Sequence, residues 1–372
     1  MVTPLRICYL TFDSLNEGVG QSQIVPLVKK LALLGHKVTI ISFEKDNSLG
    51  VKEDLEVSNI NWLTFPFGGQ GFKGIPKRIF LMAKNLPKAD VYHSRSDLPV
   101  LALALRRRKP FLWDARSLWY EQKLIIEDRP RSGIFFALAR KLETYAAKNA
   151  LAVNVLAEPL LQVIDQRNGG LPKLQSVIPT TVDLEKFAKR EPRNASKMVL
   201  LSGTLNNFYD IETTRAILSA FHQKGFKIEW ARGAESSRKD LEDSLLITSV
   251  LKHEEMPSKI AECSLGLAIC RTDCSDVLKG VMPTKVAEFL SVGRPVIVSQ
   301  GMGDLDNLIR NSNTGIVITK EMSINEIVEN TLNLLKDPEL STRCRELAEN
   351  HFSMEEAVLK YCNTYELMNN QK

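Results

Sequence analysis

The stretch Cys270 to Ile309, CRTDCSDVLKGVMPTKVAEFLSVGRPVIVSQGMGDLDNLI, sets cations, a helix start and a carboxylate in a fixed order. Pro283 stands where a first helical turn accepts proline, and Gly293 stands where that helix ends. An opening at Met282, Pro283 and Thr284 presents unpaired backbone N–H groups and the positive end of the helix dipole, a natural seat for a diphosphate. Lys285 adds a point charge one turn in, and Lys279, Gly280 and Arg271 lie on the loop before it. Glu288 follows one turn later, where a carboxylate accepts both hydroxyls of a ribose. A lone glutamate on a helix is more often just solvated; its place in this block favours a ligand role.

Other residue types with chemical capacity sit at the ends of apolar runs. SGTLNNFYD (202–210) leaves a strand through Gly203 and Thr204, a small-residue turn of the kind that holds anions with backbone N–H groups. Arg232 closes the strand FKIEWAR. Near the N-terminus, VYHSR ends in His93 and Arg95, of which only the histidine titrates near neutrality. WDARSLWYEQ adds Asp114, Arg116, Trp119 and Glu121, a set suited to a hydroxylated acceptor with an aromatic to stack on a sugar, or equally to a salt bridge under a loop. The first turn, NEGVGQ, offers Glu17, Gly18, Gly20 and Gln21. It lacks the third glycine of a dinucleotide fingerprint, so it reads as a loop whose backbone approaches a cleft closely.

These residues need a scaffold, and the hydrophobic pattern supplies one. LRICYL, an amphipathic segment from about Gln21 to Leu34 capped by Gly35, and HKVTIISF read as strand, helix and strand. Similar alternation continues through 59–65, 89–95, 110–116 and 150–156, and restarts at KMVLLSGTL (197–205). The fold class is therefore α/β with doubly wound parallel sheets. With 372 residues the chain is too long for one ordinary core. Residues 1–180 form the first domain and 181–353 the second, with the terminal helix, about 354–372, returning to the first.

At this point the motifs have a counterpart. The block 283–298, the segment VIPTTVDLEKF and the N-terminal EGVGQSQIVPLVKKLALLGH resemble retaining GT-B glycosyltransferases of family 4. The resemblance implies two Rossmann-like domains facing each other across a cleft, an acceptor in the first and a nucleoside-diphosphate sugar donor in the second. It implies transfer to an acceptor hydroxyl in surface glycan or polysaccharide synthesis. It also implies His93 or Arg95 and Lys285 at the reacting centre, with no metal and no cofactor. Three departures stand out: Gly280 occupies the place of a second glutamate, Thr204 that of an arginine after the strand-end glycine, and Thr180-Thr181 that of an Asn-Gly pair. With no carboxylate placed as a covalent nucleophile, a front-face reaction is expected, in which the leaving diphosphate helps deprotonate the acceptor.

Rival readings are a nucleotide-sugar epimerase of the same fold and a non-catalytic nucleotide-sugar-binding protein. A nicotinamide-dependent oxidoreductase ranks below them, since no acidic residue ends the second strand in the ribose-reading position alongside a full glycine fingerprint. Asp304 in GDLD reads as a helix N-cap rather than as a metal ligand. The net charge of +5 is too small to imply nucleic acid but suits anionic partners. The basic, apolar stretch 71–88 and LPVLALAL before Arg106–Arg108 fit a cytoplasmic protein touching the inner membrane face, with a glycan or lipid-linked acceptor. The six cysteines lack metal-ligand spacing and read as buried thiols.

Overall fold

The computed structural model describes residues 3–45, 50–69, 74–190, 197–232 and 246–371. The chain divides into two compact units, the first of Met1–Glu121, Arg131–Ile178 and Met354–Lys372, the second of Gln122–Pro130 and Pro179–Ser353. The short piece 122–130, which the sequence pattern groups with the first domain, falls in the second unit, where Asn207 Nδ2 donates to the Ile126 carbonyl at 3.0 Å.

In the first unit the order is β1 (Arg6–Leu10), α1 (Val25–Leu33), β2 (Lys37–Glu44), α2 (Gly50–Val57), β3 (Asn61–Pro66), α3 (Ile75–Lys84), β4 (Val91–Arg95), α4 (Leu98–Leu105), β5 (Phe111–Ala115), α5 (Trp119–Ile126), α6 (Ile134–Asn149), β6 (Ala152–Val155), α7 (Glu158–Asn168) and β7 (Leu174–Val177). Its seven strands pair in parallel in the order β3-β2-β1-β4-β5-β6-β7. The second unit runs β8 (Met198–Ser202), α8 (Ile211–Gln223), β9 (Lys227–Arg232), β10 (Leu246–Val250), α9 (Met256–Glu262), β11 (Leu265–Ala268), α10 (Ser275–Leu278), α11 (Thr284–Ser291), β12 (Val296–Ser299), α12 (Leu305–Ser312), β13 (Gly315–Ile318), α13 (Ile324–Leu334) and α14 (Leu340–His351). Its six parallel strands lie in the order β10-β9-β8-β11-β12-β13. Strand order reverses between β1 and β4 and between β8 and β11, the positions where doubly wound sheets hold ligands beyond their strand ends.

The last helix, α15 (Met354–Asn369), belongs to the first unit and buries Met354, Ala357, Val358, Tyr361, Tyr365 and Met368 in its core. Helix α1 starts later than its apolar period predicts, because Gly20–Ile24 forms a wider π turn ahead of it. Gly20 is required there: a Cβ would lie 2.1 Å from the Ser14 carbonyl oxygen. Its role is packing of one chain segment on another, not backbone access for a ligand. In the second unit, a Cβ on Gly266 of β11 would lie 2.4 Å from the Phe289 ring, so glycine is what lets α11 settle onto the sheet.

Candidate donor and acceptor sites

In the second unit, α11 carries both residues that the sequence singles out. Lys285 is only 9% exposed, and its Nζ has no hydrogen-bond partner. The ammonium lies 4.3 Å from the centroid of the Tyr209 ring, on the loop that follows β8. Burial pulls its pKa down to about 8, against the pull of Cys270 and Glu288. An unsatisfied buried cation is costly unless an anion arrives to pair with it.

Glu288, one turn on and 7% exposed, already holds one partner: its Oε1 lies 3.1 Å from His253 Nε2. Lys186 Nζ faces His253 Nδ1 at 3.2 Å. An ammonium can only donate, so Nδ1 accepts and Nε2 carries the proton that goes to Glu288. The backbone around α11 is tied as firmly. Thr180 Oγ1 donates to the Met282 carbonyl at 2.5 Å, and Pro283 occupies the N-cap without a side-chain cap, leaving the helix start open.

Several expected ligand groups have other duties. The N–H groups of Gly280 and Val281 donate to the Val277 and Leu278 carbonyls, which removes them as sugar contacts. Gly203 has a φ of +72° and donates its N–H to the Ala231 carbonyl, so it turns the chain and does not cradle phosphate; Thr204 beside it is exposed. Lys279 is half-exposed 3.5 Å from Asp276, and Arg271 pairs with Asp273 at 2.6 Å. Arg271 lines an open cavity of about 520 Å³ with Asn207, Tyr209, Asp210 and Asp128. Arg232 ends β9 with its guanidinium 5.7 Å from the Trp230 ring. Asp304 takes the N-cap position of α12 but makes no side-chain cap bond; Asp306 instead accepts from the Gly301 N–H.

The first unit also ends its central strands in buried polarity, of a different kind. His93 is fully buried, with Nδ1 2.7 Å from the Tyr365 hydroxyl and Nε2 3.2 Å from Asp114 Oδ2. The carboxylate takes the Nε2 proton, so Nδ1 accepts from Tyr365. Burial pushes the histidine pKa down, against Asp114, keeping the ring neutral near pH 7. Burial alone would raise Asp114, but Arg116, His93 and Arg95 outweigh it and hold the carboxyl well below the usual range. Asn154 Nδ2 donates to Asp114 Oδ1 at 2.7 Å, and Arg95 Nε donates to Asp13 at 2.8 Å. Both ring nitrogens of His93 are engaged and no part of it meets solvent. It is thus a positioning group, and Arg116, partly exposed 3.7 Å from Asp114, is the outermost cation of the cluster.

The acceptor set is only partly assembled. Glu121 is buried in ion pairs with Arg167 and, at 3.7 Å, Arg131, so it is a structural carboxylate. Trp119 is half-buried against Tyr120. In the first loop Glu17 pairs with Lys45 at 2.7 Å, Gln21 donates to the Asn16 carbonyl, and the Gly18 carbonyl accepts from Ser22. Contrary to the expectation from sequence, an acidic residue does end β2: Glu44, a buried carboxylate accepting from Ser14, Ser42 and the Leu15 and Asn16 N–H groups. Both of its oxygens are taken up in shaping the first loop. Among the described residues, no group of three or more His, Cys, Asp or Glu is arranged to hold a metal ion. All six cysteines are buried free thiols.

Two family descriptions match: Glycosyltransferase Family 4 over residues 20–186 and Glycosyl transferases group 1 over residues 235–351, the second spanning Lys285 and Glu288. The two matches, one in each half of the chain, support a glycosyltransferase of the GT-B type. Solved structures share the fold across nearly the whole chain. Sucrose-phosphate synthase from Thermosynechococcus elongatus is 17% identical, with 99% of this chain and 100% of that one covered and a TM-score of 0.73. HepE of Anabaena in complex with UDP-glucose is 14% identical, covering 97% and 99%, with a TM-score of 0.68. WaaG, a glycosyltransferase involved in lipopolysaccharide biosynthesis, is 13% identical, covering 95% and 98%, with a TM-score of 0.67. No curated protein matches the sequence. Among the described residues, no helix is long and apolar enough to cross a membrane.

Proposed function

We propose that the enzyme moves a sugar, with retention, from a nucleoside diphosphate to an acceptor hydroxyl on a glycan or lipid-linked carrier. The observation that carries this reading is the buried, unpartnered Lys285 ammonium at the open start of α11, one turn from Glu288. A diphosphate supplies the charge that Lys285 lacks, and the free Glu288 oxygen accepts ribose hydroxyls while His253 holds the other. UDP-glucose bound to HepE, a structure of the same fold, supports a nucleotide-sugar donor. Stabilising charge on the departing diphosphate is then the main catalytic contribution, with the diphosphate assisting deprotonation of the acceptor on the same face. Arg95 and Arg116 are the cations of the acceptor domain in this scheme, oriented by Asp114. No cofactor or metal enters it. The setting is surface glycan synthesis at the cytoplasmic face of the membrane, in line with the part WaaG takes in lipopolysaccharide biosynthesis.

A thermal-shift panel of nucleoside diphosphates and their sugars tests the donor site: one base should raise the melting temperature, and Glu288→Ala should abolish the response. Absence of any response would sink the assignment. The anomeric configuration of the first-formed product, read by NMR, decides retention.

A further inference from the structure

The turn after β8, from Gly203 to Asp210, carries no lysine or arginine. Arg271 and Lys279 already face Asp273 and Asp276. The buried charge at the start of α11 therefore rests on Lys285, and what holds that side chain matters. Its ammonium makes no hydrogen bond and lies 4.3 Å from the centroid of the Tyr209 ring. The acidic groups around it are engaged or neutral. Glu288 accepts from His253, and burial pushes the Cys270 thiol up to about 12, so it carries no charge near neutrality. Burial likewise holds the Tyr209 phenol well above its ordinary value. The ammonium thus meets a neutral ring, whose negative face attracts a cation.

The ring is anchored from both sides. Tyr209 pairs with Cys270 in an antiparallel bridge, flanked by the Arg271 N–H donating to the Phe208 carbonyl and the Asp210 N–H donating to the Ile269 carbonyl, each at 3.0 Å. Asp210 goes on to cap α8, its carboxylate accepting from the Thr213 N–H and hydroxyl. Phe208 meets the Tyr209 ring edge-on. We propose that Tyr209 is a positioning residue for donor binding: its ring face keeps the Lys285 side chain charged and in place before the diphosphate arrives. The inference rests on the donor reading of Lys285 and adds a second residue to it. Its consequence depends on pH. The bound state needs the charge, whereas the free lysine, at about 8, can shed its proton. Without the ring, affinity falls where that proton is easily lost and changes little where it is not.

UDP, GDP, CDP and ADP are titrated into the full chain by calorimetry at pH 6 and pH 8, in buffers of differing ionisation enthalpy. A desolvated cation–π contact is worth roughly a thirtyfold factor. Relative to wild type at each pH, Tyr209→Leu should weaken binding about tenfold at pH 8 and less than about twofold at pH 6. At pH 8 the wild type should take up about half a proton per nucleotide, and Tyr209→Leu nearly a whole one. Tyr209→Phe keeps the ring face and should match the wild type. Should the leucine variant fail to fold, phenylalanine carrying successive fluorines at position 209 keeps the shape. Affinity at pH 8 should then fall stepwise as the ring face loses its negative charge. Packing alone predicts an equal loss at both pH values, unchanged proton uptake and a flat fluorine series, and any of these would overturn the proposal. A wild type that binds none of the four nucleotides overturns it together with the donor reading. Binding abolished by Glu288→Ala but indifferent to Tyr209→Leu overturns it alone.

Discussion

Both sheets finish in buried charge, but the two clusters are opposites. In the first unit His93, Asp114, Asn154, Tyr361 and Tyr365 bond to one another. In the second, the Lys285 ammonium is sealed from water with the Tyr209 ring beside it and no hydrogen-bond partner. A closed network specifies structure, because each buried polar group already has what it needs. A buried group left short is a site waiting for a ligand, and its strain is relieved by binding. The number of partners, rather than the residue type, separates the two.

The comparison breaks most sharply at Asp114. Asp114→Asn leaves His93, Arg95 and Arg116 facing an uncharged amide, and should cost about 3–5 kcal/mol in urea unfolding. A loss under 1 kcal/mol would mean that the cluster is not a charge network. Lys285→Met should act in the reverse sense, weakening nucleoside-diphosphate binding by roughly 100-fold, as loss of a charge-assisted pair does. The same variant should gain stability on the order of 1–3 kcal/mol below pH 8. The sign follows from proton binding: the native lysine, at about 8, releases its proton before the unfolded one at 10.5, so wild-type stability rises with pH across that window. The methionine variant should lack that rise, and calorimetry against pH reads both.

Smaller effects sharpen the same contrast. Tyr365→Phe removes the donor to His93 Nδ1 and should cost about 1–2 kcal/mol, visible in the melting temperature. It should leave the affinity for nucleotide unchanged, since that lies in the other unit; a change there would join two clusters kept separate above. Glu17→Gln breaks only an exposed pair with Lys45 and should shift stability by less than about 0.5 kcal/mol.

The alternation of strands and helices and the pairing of Lys285 with Glu288 on one helix were legible because both depend on short spacings. The edge strands β7 and β13, four residues each, were not, since LQSV and GIVI carry too little periodicity to stand out. The fate of His93 was equally hidden. Its neighbour Tyr365 is 272 positions away, and no local pattern announces a contact of that range. Glu121 reads as an available carboxylate until the arginines that surround it are known. Type and spacing locate chemical capacity; packing decides whether it is spent on the fold or kept for a ligand.

Helix α15 has a consequence for how the chain is made. A ribosome releases the seven strands of the first unit long before it reaches Met354, and all of the second unit but the piece 122–130 is synthesised in between. Until then His93 and Asn154 lack their tyrosine partners and the apolar surface that α15 covers stays wet. The second unit, whose residues fall within an earlier, nearly continuous stretch, can close first, while the N-terminal unit waits as an open intermediate for the final turn of chain. A nascent chain stopped at Ser353 should therefore be protease-sensitive in its older half and protected in its newer one.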